Sequence, residues 1–569
     1  MSSSCHLTSS LASHLHPRLA AVLADTLARR RGSVPQIHGS RQSQFRRVCG
    51  VLSLRPRTRV DSELRKILPA RRQMVFVHES AVNGRSFSAG ALAGSVPSLN
   101  PNSSNFSDSY TGVQELIVDS TLIAPTSAYI HIPFCRRRCF YCDFTIVAVG
   151  ERTDRTADHQ DSVMANYVDL VCNEIAATAA KRRNGGNLPL ETVFFGGGTP
   201  SLLSVPLFTR IINELKVHFQ ISETAEIAME MDPGTFDEDK LKGFLDCGVS
   251  RVSLGVQSFQ AVLLSACGRA HGLQEVYDAV SAIHSSGLRN WSLDLIASLP
   301  NQKMEDWEHS LQETLNAGPA HVSVYDLQIE EGTLFNQWYK AGESPLPSDD
   351  RSAEFYRRAS LRLREAGYEH YEVSNYAKPG FECRHNLVYW ENRPYFAFGL
   401  GSTSYVEGRR FSRPKKMREY SKYVSHLEVN SESSKAEEYP VNSVEDRILD
   451  TVMLSLRLAR GLNLQEFQQS FGSSITSTVC CKLIDYMRIG LVEALDNGRR
   501  VIPVDQFIKH YNNQSKEAYD YKNMNSRLVN GTNTRGGKPS YVRLTDPEGF
   551  LVSNEVISSI FSALPSGGN

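Results

Sequence analysis

The sequence predicts an α/β fold in which a partial (β/α)6 barrel is followed by an α+β extension and a small C-terminal domain. From residue 128 onward, short apolar runs alternate with stretches of helical periodicity. Six apolar runs with helical stretches between them indicate parallel β/α units, and right-handed crossovers would curl them into an open barrel. Glycine, cysteine and charged residues follow several of the apolar runs, as expected where the ends of strands carry the chemistry.

Six strands and five intervening helices are predicted for the barrel, over residues 126–345. The strands are Ala128–Phe134, Thr192–Phe195, Glu226–Met231, Arg251–Val256, Trp291–Ile296 and His321–Leu327. The helices are Asn166–Lys181, Leu207–Phe219, Glu238–Asp246, Leu273–Ser285 and Met304–Ala317. This order predicts that the chemical motifs lie at the carboxyl ends of the strands.

Two further regions follow the barrel. Residues 346–440 form the predicted α+β extension, which includes a helix from Ala353 to Ala366. Residues 441–569 are predicted to form a small helical and winged domain. EDRILDTVMLSLRLARGLNL is its amphipathic helix, and Gly490–Val504 is its short β wing. A segment rich in Asn, Lys and Gly at about 507–540 is predicted to be a disordered insertion.

The overall composition argues against several classes of protein. Lys plus Arg and Asp plus Glu both total 62 in the 569 residues, so no net charge points to a nucleic-acid partner. The 11 cysteines form no regular framework, which favours reduced thiols over secreted disulfides. No apolar run approaches the ~20 residues that a membrane span requires, so no span is predicted.

The first 125 residues differ in composition from the rest. Residues 1–60 contain ten arginines, no lysine and a single acid, Asp25. This composition is typical of an organellar transit peptide, and we predict the mitochondrion, with the chloroplast as the alternative. A disordered tail is the simpler explanation, although such tails seldom avoid acids while using arginine alone. Residues 61–125 are rich in Ser, Asn and Gly and are predicted to be a variable linker.

Three cysteines follow the first predicted strand at C-x3-C-x2-C spacing, namely Cys135, Cys139 and Cys142. Three thiolates can hold three irons of a 4Fe–4S cube and leave the fourth iron open to a ligand. A structural zinc site is the alternative, with His131 as its fourth ligand. Such sites nearly always have four protein ligands, and no second CxxC or HxxxH follows nearby. The spacing therefore favours an open 4Fe–4S cluster.

The string around this loop is YIHIPFCRRRCFYCDF, residues 129–144. It resembles the cluster loop of the radical S-adenosylmethionine (SAM) superfamily. YIHIPFC followed by CxYCDF is similar to the branch that holds the oxygen-independent coproporphyrinogen III oxidases and the heme chaperones. The resemblance extends from about residue 128 to the C-terminus, apart from the insertion. It implies a radical SAM core barrel, a 4Fe–4S cluster, and SAM chelated to the open iron through its amino and carboxylate groups.

A glycine run, GGGTPS, follows the second predicted strand. Successive glycines let the backbone approach a ligand closely, and the lysine of a P-loop is missing. Alone, such a run is more often a turn. Placed one β/α unit after the cysteine loop, it resembles the superfamily loop that meets the amino group of SAM. The resemblance therefore implies that Gly197, Gly198 and Thr199 contact SAM.

Polar residues interrupt the later strands, where a buried charge needs a partner. The resemblance implies six further SAM contacts, at Tyr129, Tyr141, Glu230, Gln257, Arg269 and Asp294. For any one of them, an ion pair inside the barrel, such as Arg269 with Glu230, is the structural alternative. The family usually has YGLPGQ where this chain has ASLPNQ. The difference at Ser298 and Asn301 leaves the geometry of that loop open.

The extension contains HNLVYW, residues 385–390, which resembles the HNxxYW motif of the heme chaperones. A histidine beside aromatic rings can ligate heme iron while the rings cover the porphyrin face. We therefore predict that heme binds at His385. The alternatives are a histidine hydrogen-bonded in a turn, and Cys383 as a competing soft ligand.

Two functions from different classes remain. A heme chaperone would bind heme and pass it to a hemoprotein, with the cluster and SAM controlling transfer or assembly. An oxygen-independent coproporphyrinogen III oxidase would instead be an enzyme that converts coproporphyrinogen III to protoporphyrinogen IX. Those oxidases carry a further cysteine where this chain has Phe144, so Phe144 and HNxxYW favour the chaperone. Arg269 and Gln257 resemble second-SAM contacts of the oxidases and keep that alternative open, and a zinc-stabilised binding module is a third.

Overall fold

The computed structural model describes residues 124–153, 156–181, 188–429, 441–511 and 537–564. The predicted targeting segment, nearly all of the predicted linker and most of the predicted insertion lie outside these residues. The strands, in chain order, are β1 Ser127–Ile132, β2 Phe134–Cys135, β3 Val147–Ala148, β4 Leu190–Gly197, β5 Ile221–Met231, β6 Arg251–Gln257, β7 Trp291–Ala297, β8 His321–Asp326, β9 Glu369–Glu372, β10 Asn375–Ala377, β11 Phe396–Phe398, β12 Thr403–Val406, β13 Arg409–Ser412, β14 Leu462–Asn463, β15 Val492–Leu495, β16 Val501–Ile502 and β17 Tyr541–Leu544.

The helices follow the same order along the chain. They are α1 Ala157–Ala180, α2 Val205–Phe219, α3 Glu238–Asp246, α4 Ala261–Ala266, α5 Leu273–Ser285, α6 Met304–Ala317, α7 Leu334–Trp338, α8 Asp349–Glu365, α9 Arg384–Trp390, α10 Met417–Val429, α11 Val444–Leu456, α12 Leu464–Arg488, α13 Glu548–Leu551 and α14 Ser553–Phe561. Helices α3, α5 and α6 have the predicted bounds, whereas α1 begins well before the predicted residue 166. Across the described ranges, no helix is long and apolar enough to cross a membrane.

Nine strands form one sheet with a parallel centre. Their order is β11-β1-β4-β5-β6-β7-β8-β10-β9. The six strands from β1 to β8 in this order pair in parallel and follow the chain, with helices in the connections. The predicted (β/α)6 arrangement is therefore confirmed. The sheet is open, because β11 and β9 lie at its opposite edges.

The two faces of this sheet differ in chemistry. On β4, Val193 and Phe195 lie on the helix side, where the Phe195 ring packs against Phe208 of α2 with centroids 4.6 Å apart. Successive side chains of a strand alternate between faces, so Phe194 lies on the inner face, away from these helices. The inner face also carries polar side chains such as Glu230, so the candidate site lies on this face and not on the apolar helix side.

The extension completes both edges of the sheet. β11 pairs in parallel with β1 at one edge, and β10 pairs antiparallel with β8 and β9 at the other. The short helix α9, which carries HNLVYW, lies between these two edge segments in the chain. The predicted α+β extension is therefore built onto the barrel sheet at both of its ends.

The C-terminal region contains a four-stranded sheet of order β14-β17-β15-β16. The strands β15 and β16 confirm the predicted wing. The prediction of one helix over 445–464 is wrong at its end, because α11 stops at Leu456 and Gly461 turns the backbone at φ +72° before β14. Residues 504–511 are helical, so the predicted insertion begins later than 507, and 512–536 lie outside the described residues.

Candidate functional site

The three predicted cluster cysteines lie in one loop beyond the carboxyl end of β1. Cys135 ends β2, which pairs in parallel with β3 across the base of the loop. Cys139 and Cys142 lie within the loop, where the Cys142 N–H donates to the Cys139 carbonyl at 3.2 Å. All three are free thiols with partial exposure. One segment therefore presents three thiols close to the surface.

The chemistry of this donor set fits a 4Fe–4S cluster. Each thiolate of such a cube binds a separate iron, so the three sulfurs need not converge on one point. Within the described part of the chain, no three His, Cys, Asp or Glu side chains converge on a single metal ion. Burial raises the pKa of Cys135 to about 12. Because iron binds the thiolate, cluster assembly would displace the proton that burial retains.

Arg269 connects the cysteine loop to the barrel. One of its terminal nitrogens donates to Cys139 Sγ at 3.4 Å and to the Tyr141 hydroxyl at 3.2 Å. The other pairs with Asp232 and donates to the Gly255 carbonyl at 2.9 Å. The side chain is only 12% exposed. Arg269 therefore places a fixed positive charge beside Cys139, one of the three predicted cluster ligands.

Asp232 was not predicted from the sequence as a site residue. Although burial opposes its ionisation, Arg269, His271 and Arg136 lower the pKa of Asp232 to about 2. His271 Nδ1 lies 3.2 Å and Arg136 Nη2 lies 3.5 Å from the carboxylate. The suggested ion pair inside the barrel does form, but the acid that Arg269 contacts is Asp232 and not Glu230. The available signal was the second acid in the string EMDPGT.

The glycine run packs directly against the cysteine loop. The Thr199 hydroxyl donates to Cys135 Sγ at 3.5 Å. A Cβ at Gly198 would lie 2.6 Å from the carbonyl carbon of Pro133, so only glycine permits this approach. Gly197 adopts φ +108° and donates its N–H to Glu230 at 3.0 Å. The two motifs therefore form one packed unit, which explains why their pairing in the sequence is informative.

Two partly buried carboxyl groups, those of Glu230 and Asp294, lie on the inner face of the sheet. Burial raises the pKa of Glu230 to about 8, and the neighbouring Asp294 adds to this effect. Burial also raises the pKa of Asp294, although the hydroxyls of Ser253 and Ser292 donate to it at 2.9 and 3.2 Å. A cation or further hydrogen-bond donors beside these acids would favour their ionised forms.

Gln257 ends β6 in an unusual backbone conformation. Its φ is +70°, and the pairing of β6 with β7 shifts register between Gly255 and Gln257. The Gln257 side-chain oxygen is buried and accepts no hydrogen bond from any described residue. A buried acceptor without a donor costs about 1–3 kcal/mol. This orphaned oxygen fits a ligand that carries hydroxyl or amino donors, as SAM does.

Tyr129 and His131 form a fixed pair on β1. His131 Nε2 donates to the Thr145 carbonyl at 2.8 Å, so Nδ1 accepts from the Tyr129 hydroxyl at 3.1 Å. Burial lowers the pKa of His131 to about 4, which keeps the imidazole neutral. Both ring nitrogens are therefore engaged within the protein. This arrangement does not support His131 as the fourth ligand of a zinc site.

The loop after β7, where the chain departs from the family pattern, retains a glycine-like backbone. Ser298 and Asn301 replace the two family glycines and have φ values of +65° and +61°. Asn visits this left-handed region more easily than most residues. The Ser298 hydroxyl donates to Asp326 at 2.6 Å and holds the turn. The substitutions therefore change the residues without removing the left-handed turns.

His385 lies at the opposite end of the barrel from the cysteine loop. Its Nδ1 hydrogen-bonds the hydroxyl of Thr192, near the start of β4, at 2.8 Å, and its Nε2 hydrogen-bonds the Tyr389 hydroxyl at 2.9 Å. The side chain is fully buried, and its ring stacks on Phe194. In this geometry neither ring nitrogen is open to heme iron, as in the simpler alternative of a hydrogen-bonded histidine.

The competing ligand Cys383 is no more accessible. It is 2% exposed, and its Sγ lies 3.8 Å from the Glu226 carboxylate. Burial raises the pKa of Cys383 to about 12. The same carboxylate accepts the N–H of Arg384 at 2.9 Å. Glu226, on β5, therefore anchors the start of α9 beneath the barrel.

Comparisons with known proteins agree with this geometry. Residues 129–314 match the radical SAM superfamily model, and residues 442–501 match the HemN C-terminal domain. The heme chaperone HemW of Synechocystis sp. is 39% identical over 78% of this chain and 98% of its own length. HemW of Escherichia coli is 38% identical over 50% of this chain and 72% of its own.

Among solved structures, coproporphyrinogen III oxidase (HemN) of Escherichia coli shares the fold. The alignment has a TM-score of 0.59 at 18% identity, and it covers 80% of this chain and 94% of that protein. The α/β architecture predicted from the sequence is therefore that of a radical SAM protein. On the sequence identities above, this chain belongs to the HemW heme chaperone family of the radical SAM superfamily.

Proposed function

We propose that this protein is a heme chaperone that binds heme and passes it to a hemoprotein. The observation that carries the proposal is the 39% identity to the Synechocystis chaperone, which extends over 98% of that protein. Phe144 adds support, because the related oxidases have a further cysteine at this position. The HNLVYW string supports the same assignment from a second part of the chain.

The radical SAM family implies a 4Fe–4S cluster and SAM, and the residues present fit both. Cys135, Cys139 and Cys142 would hold the cluster. The residues that we propose to contact SAM are Tyr129, Tyr141, Gly197, Gly198, Thr199, Glu230, Gln257, Arg269 and Asp294. When bound, the cluster would supply an open iron that SAM can chelate, and an electron for the reduction of SAM. The chain itself holds Cys139 beside the Arg269 guanidinium and leaves the Gln257 oxygen for a ligand donor.

Heme ligation by His385 requires a local change at α9. The Nε2 atom hydrogen-bonds Tyr389 at 2.9 Å and Nδ1 hydrogen-bonds Thr192 at 2.8 Å, so iron must displace one of these partners. Each such bond contributes about 0.5–1.5 kcal/mol net. Tyr389 belongs to the same motif and lies one helical turn from His385. We therefore infer that Nε2 is the nitrogen that binds iron, and that the Tyr389 hydroxyl holds it when heme is absent.

A heme titration of the full-length protein tests this assignment. His385→Ala should weaken heme binding and change the Soret band, because an iron ligand is lost. Tyr389→Phe keeps the ring but removes the hydroxyl that holds Nε2, so it should strengthen heme binding. If His385 only anchors α9, His385→Ala leaves the Soret band unchanged and Tyr389→Phe does not strengthen binding. That result would make Cys383 the next residue to test.

The second candidate is an oxygen-independent coproporphyrinogen III oxidase, favoured by Arg269 and Gln257. Both residues do lie at the cluster end of the barrel, where Arg269 contacts Cys139. Anaerobic protein with a reconstituted cluster, a reductant and SAM should be supplied with coproporphyrinogen III. We expect no catalytic formation of protoporphyrinogen. Its appearance at catalytic rates would reverse the assignment and make this protein an enzyme.

We also propose that residues 1–60 direct the protein to the mitochondrion, with the chloroplast as the alternative. Ten arginines, no lysine and one acid support this proposal. N-terminal sequencing of protein isolated from the organelle tests it, because the mature chain should begin well after Met1. Organellar protein that retains residues 1–30 would contradict it.

A further inference from the structure

A column of three stacked rings connects the HNLVYW motif to the predicted SAM site through the inner barrel. The His385 imidazole stacks on Phe194, with centroids 5.2 Å apart and planes inclined by 27°. Phe194 also stacks with Tyr129, at a centroid distance of 6.2 Å and an angle of 19°. Phe194 is 2% exposed. It therefore contacts the candidate heme ligand and a predicted SAM contact simultaneously.

The same ring contacts the start of the glycine run. A Cβ at Gly196 would lie 2.9 Å from Phe194 Cε1, 3.0 Å from Tyr129 Cε2 and 3.2 Å from Glu230 Cδ. Protein interiors are close-packed, so little free space exists to absorb a movement of this ring. A shift of Phe194 therefore displaces Tyr129 or the glycine run.

The backbone of β4 provides a second connection along the same path. Thr192 hydrogen-bonds His385 at 2.8 Å, and Phe194 follows it on the same face of the strand. At the carboxyl end of β4, the Gly197 N–H donates to Glu230 at 3.0 Å. One strand thus carries a contact to α9 at one end and the SAM-binding glycines at the other.

We propose that Phe194 is a positioning residue that makes heme binding at His385 and SAM binding in the barrel mutually antagonistic. The inference rests on the proposed function, because it takes His385 as the heme ligand. When His385 turns towards iron, Phe194 loses its stacking partner, and Tyr129 and Gly196 lose their support. SAM then binds less tightly.

Thermodynamic linkage makes this effect reciprocal, so bound SAM weakens heme binding by the same factor. For a chaperone, this antagonism would give heme transfer a direction. Protein without SAM holds heme, and SAM binding favours the return of His385 to its stack on Phe194, which releases heme to a recipient. SAM can therefore act as a release signal through binding alone.

The test is a binding cycle on full-length protein with a reconstituted cluster. Equilibrium dialysis with labelled SAM gives the SAM dissociation constant with and without saturating hemin. Couplings between sites are commonly 5- to 150-fold, so we expect hemin to raise this constant by about fivefold or more. Phe194→Leu should reduce the hemin effect to below about twofold, because a smaller side chain no longer bridges the two rings.

Phe195→Leu is the matched control. This neighbour on β4 is equally buried but packs on Phe208 at the helix side, so its loss should leave the hemin effect intact. If Phe194→Leu does not fold, His385→Ala replaces it, because removal of the imidazole should by itself weaken SAM binding in heme-free protein. Equal SAM constants with and without bound hemin in the wild type would overturn the inference while leaving heme binding intact.

Failure of the proposed function gives a different result. In that case hemin does not bind at His385, and the wild-type cycle shows one SAM constant because the second ligand is absent. The contact through Phe194 is then tested by His385→Ala alone. A higher SAM dissociation constant in His385→Ala than in the wild type supports the positioning role of Phe194, and an unchanged dissociation constant overturns it.

Discussion

Replacing Gly197 by alanine should damage the site at a defined contact. Gly197 has φ +108°, and an added Cβ would lie 2.3 Å from Cε1 and 2.4 Å from Nδ1 of His131. His131 cannot swing aside freely, because Tyr129 and the Thr145 carbonyl hold its two ring nitrogens at 3.1 and 2.8 Å. The clash therefore falls on a side chain that is fixed in place.

Two energy terms combine in this substitution. A left-handed backbone costs a residue with a Cβ roughly 1–2 kcal/mol. Forcing a methyl group into a close-packed interior typically costs a further ~1–3 kcal/mol. We expect Gly197→Ala to lower the free energy of unfolding by roughly 2–5 kcal/mol. SAM binding should weaken as well, because the Gly197 N–H that holds Glu230 must move.

Urea denaturation followed by circular dichroism measures the stability loss. Gly367→Ala is a control for backbone strain alone, since Gly367 has φ +84° and its added Cβ meets no atom within 4 Å. It should cost only ~1–2 kcal/mol. In a His131→Ala background, the cost of Gly197→Ala should fall by ~1–3 kcal/mol, because the obstacle is gone. An equal cost in both backgrounds would refute this reasoning.

Three other outcomes follow from the same contacts. Stability should fall as the pH drops from 6.5 towards 4, because unfolded His131 takes up a proton near 6.5 and folded His131 only near pH about 4. In His131→Asn the urea midpoint should change less with pH over this range. An equally steep fall of the midpoint in the variant would contradict this reasoning. Cys135→Ala should lose cluster iron and visible absorption, whereas the buried Cys267→Ala should retain both. Arg269→Lys should weaken SAM binding by about tenfold, since lysine cannot reproduce a fork of several hydrogen bonds. An unchanged SAM dissociation constant in equilibrium dialysis would mean that the positive charge alone suffices for SAM binding.

Local patterns predicted most of the barrel, because its strands and helices differ in periodicity and have clear ends. α3 begins after Asp237, whose side chain accepts the Lys240 N–H, and its bounds were predicted correctly. The failure over 445–464 has a physical cause. The apolar helical period continues past Leu456, whereas Gly461 takes a positive φ and the chain turns into β14. A periodic pattern does not indicate where such a turn interrupts it.

The partners of the site residues were less predictable, because they depend on which strand ends meet in space. Arg269 was identified, but its acid is Asp232 and not the suggested Glu230. His385 was identified from its motif, whereas its bond to Thr192 joins positions 193 residues apart. Phe194 resembled an ordinary core residue of a buried strand. A motif identifies residues, but the fold determines which groups surround them.

The charges in the barrel indicate which ligand each end can accept. Near the cysteine loop, Arg269, His271 and Arg136 overcome the burial of Asp232 and lower its pKa to about 2, so this acid already has basic partners within the protein.

Farther along the inner face, burial raises the pKa of Glu230 to about 8 and raises that of Asp294. A cationic ligand such as SAM, with its sulfonium and amino groups, lowers both pKa values and is bound more tightly as the acids ionise. The propionates of heme would have the opposite effect, since a like charge disfavours ionisation of both acids. The interior of the barrel therefore suits a cationic ligand such as SAM better than a ligand that carries propionates.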